Sequence, residues 1–153
     1  MLKIVVVDDS LIIRKNIAKM LERMGHEIVA EAKNGKEAIA CCIKHSPDLV
    51  TMDITMPDMD GIEAVRGIMG KKEEARIIMV TSHGQEEMVI AAIKAGARGY
   101  VLKPVNAEKL SNAIKRIFPN ANPLKTAIAH EEEEIMIHEE GDGWSADLES
   151  LGI

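Results

Sequence analysis

Aromatic side chains are almost missing: Tyr100, Phe118 and Trp144 are the only three in 153 residues. Proteins that hold single-stranded nucleic acid stack its bases on aromatic rings, so that function lacks a platform here. Cysteine is scarce too. Cys41 and Cys42 are adjacent, which excludes the spaced disulfide framework of small secreted domains and suggests two reduced thiols on a helix. No apolar run approaches the ~20 residues of a membrane-spanning helix. The run over residues 4–7 stops at Asp8-Asp9, too short for the apolar region of a signal peptide. A soluble, cytoplasmic protein without membrane insertion is expected. His83, His130 and His138 show no zinc-site spacing.

What is present is aliphatic and charged. Hydrophobic residues make up 46% of the chain, a globular share, and ten of them are Met. The net charge of −6 is unevenly distributed. Nine acidic residues and no Lys or Arg fall in 126–153, leaving 19 basic and 16 acidic residues in 1–125. A nearly neutral body over 1–118 is therefore followed by an acidic tail over 119–153. The run Glu131 to Glu134 reads as a solvated segment.

The body alternates strand and helix five times. The β-branched run at 4–7 reads as a strand buried on both faces. Ile13, Ile17, Met20, Leu21 and Met24 then fall on one helical face, closed by Gly25. A second strand covers 27–31, and Asn34 caps a helix over 35–45 with Glu37 three residues on. The third strand is expected at 48–52 after Pro47, with a helix from Gly61 to about Gly70. The fourth strand covers 76–80, followed by a helix over 86–95 ended by Gly96. The fifth covers 100–102, and Asn106 caps a last helix with Leu110, Ala113, Ile114 and Ile117 inward. Such alternation implies right-handed crossovers and a doubly wound α/β fold with a five-stranded parallel sheet. In these folds the site lies at the carboxyl ends of the strands.

Asp8 and Asp9 stand after strand 1, Asp53 after strand 3, Thr81-Ser82 after strand 4 and Lys103-Pro104 after strand 5. Three carboxylates converging on one edge raise one another's pKa unless a counter-charge intervenes. Lys103 supplies one. A hard divalent cation with oxygen ligands supplies another, and Mg²⁺, or Mn²⁺ in its place, suits a few carboxylates, water and a phosphate oxygen. A carboxylate beside such a cation and an ammonium is arranged as a nucleophile for phosphoryl transfer. The Thr81 hydroxyl is placed to donate to the arriving phosphoryl group.

The stretches Val5-Val6-Val7-Asp8-Asp9-Ser10, Met52-Asp53-Ile54-Thr55-Met56-Pro57-Asp58-Met59-Asp60-Gly61, Val80-Thr81-Ser82 and Ala95-Gly96-Ala97-Arg98-Gly99-Tyr100-Val101-Leu102-Lys103-Pro104 together resemble response-regulator receiver domains, in particular the single-domain chemotaxis regulators. The resemblance spans about residues 2–118. It implies a flavodoxin-like strand order 2-1-3-4-5 and phosphorylation of Asp53 by a sensor histidine kinase. It implies metal ligation by Asp9, Asp53 and the Thr55 backbone carbonyl, with Asp8 helping through water. Lys103 resembles the family's phosphate-pairing lysine, and Thr81 with Tyr100 its switch pair.

Implied with these roles is a signalling module that catalyses its own phosphorylation and dephosphorylation, not a metabolic enzyme. Its output partner would be a flagellar motor switch or a phosphotransfer protein, met by the face of helix 4, strand 5 and helix 5. A phosphorelay intermediate stays open beside the chemotaxis reading. Thr55 and His83 occupy positions where the family varies. A flavin- or nucleotide-binding protein of the same fold would need a phosphate-cradling loop after strand 1, where this chain carries Asp8-Asp9. The tail keeps apolar residues, Trp144 among them, and two readings stay open: a flexible segment, or one docked by a short apolar stretch on the basic face of helix 4, strand 5 and helix 5 as an internal partner.

Overall fold

A computed structural model describes residues 1–119. The tail beyond lies outside the described residues, and with it the choice between a flexible and a docked segment. The elements are β1 (Lys3–Val7), α1 (Leu11–Arg23), β2 (Glu27–Ala32), α2 (Gly35–His45), β3 (Leu49–Asp53), α3 (Gly61–Lys71), β4 (Arg76–Thr81), α4 (Glu86–Ala95), β5 (Gly99–Leu102) and α5 (Ala107–Ile117). All strand pairs are parallel and the order is β2-β1-β3-β4-β5, as the resemblance implied.

The continuous apolar runs of the strands follow from burial on both faces. Val5, Val7, Val50, Met52, Ile77, Met79 and Tyr100 point into one apolar layer, shared with α2, α3 and α4. Ile4, Val6, Leu49, Ile78, Val80 and Val101 point into the other, shared with α1 and α5. Alternate residues of one strand thus feed opposite layers, the period-2 geometry of a strand.

Local chemistry sets the ends of the helices. Ser10, Asn34, Asp60 and Asn106 each accept a hydrogen bond from a backbone N–H three residues on. Gly25, at φ +93°, takes the left-handed turn after α1. Burial pushes the Cys42 thiol up to about 12, and both cysteines are free thiols, consistent with inert residues of α2. None of the described helices is long and apolar enough to cross a membrane.

Strand ends differ by at most one residue from expectation. Asp53 and Thr81 are the last ladder residues of β3 and β4, paired with Val80 and Leu102, so both are anchored in the sheet and not in loops. Asp48 falls just before β3, where its carboxylate accepts the Lys3 N–H at 2.8 Å.

Candidate functional site

The order of the sheet reverses between β1 and β3, which leaves a crevice at their carboxyl ends. Asp8 follows β1 and Asp53 ends β3, so both carboxylates face this crevice. Ligand oxygens of Asp8, Asp9 and Asp53 lie within 4.8 Å of one another. Asp8 is fully buried and Asp53 is 4% exposed, whereas Asp9 is exposed. Asp8 and Asp9 precede the cap residue Ser10, and the first turn of α1 has no acidic residue. Stabilisation of the α1 dipole within its first turn therefore does not explain them.

Each member of the site is held by its neighbours. Asp8 Oδ1 accepts the Ser10 N–H at 2.8 Å. Arg14, from the second turn of α1, donates to the Asp8 carbonyl at 2.8 Å and is oriented by Glu31 of β2 at 3.1 Å. Asp53 Oδ1 accepts the Thr55 N–H at 3.4 Å. Lys103, joined to Pro104 by a cis peptide bond, places Nζ 3.4 Å from Asp53 Oδ1 and 3.6 Å from Asp8 Oδ2.

The loop over 55–60 is closed by a hydrogen bond from Gly61 N–H to the Ile54 carbonyl at 2.7 Å. A Cβ on Gly61 would stand 2.4 Å from the Asp53 carbonyl oxygen and 2.8 Å from Ile54 Cα. Only glycine lets α3 begin this close to the end of β3.

Burial drives the Asp53 carboxyl up to about 7; the charge of Asp8 adds to the rise, and Lys103 opposes it. The Asp8 carboxyl is also raised, chiefly by burial and against the pull of the Ser10 N–H and Lys103. Asp8 Oδ2 is buried and has no hydrogen-bond partner among the described residues. Three carboxylates share one ammonium, and the buried Asp8 Oδ2 meets it only as an ion pair at 3.6 Å, without a hydrogen bond; this suits a hard divalent cation with oxygen ligands.

The sequence profile of the family described as "Response regulator receiver domain" matches residues 4–115. The chain belongs to this family. Among curated relatives of the receiver domain, "Chemotaxis protein CheY" of Bacillus subtilis is 48% identical over 114 residues, covering 74% of this chain and 95% of that protein. "Chemotaxis protein CheY" of Thermotoga maritima is 39% identical over 115 residues, covering 75% and 96%. Among solved structures, a CheX-CheY-BeF₃-Mg²⁺ complex from Borrelia burgdorferi contains a chain 32% identical with TM-score 0.73, covering 77% of this chain and 90% of that one.

The receiver fold brings together Asp8, Asp9, Asp53, Thr55 and Lys103, all of them legible as candidates in the sequence. Thr81 lies nearby on β4, 1% exposed, and the Tyr100 ring is buried in the layer of α2, α3 and α4. Lys109, in the first turn of α5, donates to the carbonyls of Leu102 and Pro104 at 3.3 and 3.1 Å. Gln85 was missed. It stands at the N-cap of α4, and its side chain reaches both Thr55 and Thr81. A polar residue at the turn after β4 was the available signal, and it is a weak one.

Proposed function

We propose that this receiver domain is a phosphorylation switch whose acceptor is Asp53, charged by a sensor histidine kinase and read out by a protein partner in chemotaxis. The observation that carries the reading is Asp53 itself, a carboxylate at the end of a central strand between the Lys103 ammonium and two further carboxylates. The BeF₃ and Mg²⁺ in the neighbour from Borrelia burgdorferi, and the chemotaxis relatives, support it.

Asp8, Asp9, Asp53 and the Thr55 carbonyl would hold Mg²⁺. When bound, the cation supplies the charge that offsets the carboxylates and the phosphoryl oxygens. A carboxylate oxygen of Asp53 attacks the phosphorus of a phosphohistidine. The new P–O bond forms as the P–N bond breaks, and the electron pair leaves with the imidazole nitrogen. Lys103, already against Asp53 Oδ1, follows the developing negative charge. Thr81 then turns its hydroxyl to the phosphoryl group.

Tyr100 is the second member of the switch. Its ring already occupies a buried position, so phosphorylation would fix the ring there and reshape α4, β5 and α5. Lys94, Arg98 and Lys115 are exposed on that face and give it its positive character toward a partner.

Incubation of the full chain with acetyl phosphate and Mg²⁺ should add one phosphoryl group by intact mass, and a chelator should prevent it. An unchanged mass under these conditions would overturn the reading.

A further inference from the structure

Gln85 is at the N-cap of α4 but does not cap it: its side chain accepts no bond from the first turn of the helix. Its amide is used elsewhere. The Ser82 backbone N–H meets the amide at 2.8 Å. A backbone N–H only donates, so the atom it meets must be Oε1, and this fixes which way the amide points. Nε2 then donates to Thr55 Oγ1 at 2.7 Å. The same Oε1 lies 2.9 Å from Thr81 Oγ1, and since an amide oxygen has no proton, Thr81 is the donor.

A hydroxyl has one proton. While the Thr81 proton is given to Gln85, it is withheld from a phosphoryl group on Asp53. The other acceptor near Thr81, the Ser82 carbonyl, is more distant at 3.4 Å. Thr81 is 1% exposed, so bulk water does not offer a ready substitute. The same amide also ties the loop after β3, through Thr55, to the loop after β4, through Ser82. Engagement of Thr81 with a phosphoryl group would break its bond to Gln85 and leave the amide held by Ser82 and Thr55 alone.

We propose that Gln85 is a resting-state latch: it occupies the Thr81 proton and holds the unphosphorylated arrangement until the phosphoryl group outbids it. Gln85 is thus a positioning residue acting through Thr81. The inference rests on the reading of Asp53 as phospho-acceptor and of Thr81 as its hydroxyl partner. A ligand shifts a two-state equilibrium only by its differential affinity for the two states, so removing the latch should raise affinity for a phosphoryl mimic. One net hydrogen bond corresponds to about two- to tenfold.

The test is titration of the full chain with beryllofluoride in excess Mg²⁺, using wild type, Gln85→Met, Thr81→Ala and the double variant. Methionine keeps the unbranched shape of glutamine and loses both hydrogen-bonding groups; Gln85→Ala serves if the methionine variant folds poorly. Gln85→Met should bind the mimic about fivefold more tightly than wild type. In the Thr81→Ala background the same substitution should change nothing, since no hydroxyl remains to be latched. The Ser82 amide resonance should move when beryllofluoride binds the wild type, and it should already be moved in free Gln85→Met.

Equal or weaker binding by Gln85→Met would overturn the latch. So would an equal gain with and without Thr81, which would place the effect in the Thr55 tie. A wild type that does not bind beryllofluoride at all would instead remove the reading of the site, and the latch with it.

Discussion

The ammonium nitrogen of Lys103 stands 3.4 Å from Asp53 Oδ1 although the two residues leave strands that are not neighbours. β4 lies between β3 and β5, so the lysine side chain crosses a full strand, about 10 Å from β5 to β3, over the carboxyl end of the sheet. It also comes within 3.6 Å of Asp8, one strand further on. Only a long, flexible cation at the end of β5 spans that distance. Lys103→Ala should therefore leave Asp8 and Asp53 without their ammonium. In metal-free buffer at pH 8 we expect a loss of about 1–2 kcal/mol in urea denaturation. Stability equal to wild type would show that the ammonium compensates neither carboxylate.

Metal-free protein should also lose stability as pH rises. The folded-state pKa of Asp53 is raised to about 7, whereas an unfolded aspartate titrates near its ordinary value of about 4. Between these values the folded state holds more protons than the unfolded one, so unfolding releases protons and is favoured by rising pH. The melting temperature should fall from about pH 4 to about pH 7 by this contribution, and Mg²⁺ should restore it mainly at the upper end. Asp53→Asn, which removes the buried charge, should flatten the profile and raise metal-free stability at pH 8. A profile in which Asp53→Asn and wild type run parallel would contradict the assignment of the rise to Asp53.

Gly61 sets how closely α3 approaches the site. A Cβ there meets backbone, not the end of a flexible side chain: the Asp53 carbonyl oxygen at 2.4 Å and Ile54 Cα at 2.8 Å. Backbone cannot step aside as a methyl group can, so Gly61→Ala should cost about 2 kcal/mol in chemical denaturation. It should also weaken Mg²⁺ binding by displacing the end of β3. Gly70→Ala, where a Cβ meets nothing within 4 Å, is the matching control and should be near neutral.

The fold was almost entirely legible in the sequence because its signals are local. Asn34 and Asn106 cap their helices, Gly25 takes positive φ, and the β-branched runs form strands buried on both faces. The carboxylates and Lys103 could be grouped because parallel strands bring their carboxyl ends to one edge. Burial was less accessible. Asp8 and Asp9 are neighbours in sequence, yet the first is fully buried and the second exposed, a difference fixed by how the chain turns between β1 and Ser10. Gln85 was not legible, because its partners Thr55 and Thr81 come from two other connections and their meeting is tertiary.

The central claim is that Asp53 takes the phosphoryl group, and one comparison tests it most directly. Wild type and Asp53→Ala are incubated with acetyl phosphate and Mg²⁺, and both are examined by intact mass. Wild type should gain one phosphoryl group and Asp53→Ala none, because Asp53 is the carboxylate hydrogen-bonded to Lys103 at the end of a central strand, with Asp8 and Asp9 beside it. Labelling of Asp53→Ala to the wild-type level would contradict the account.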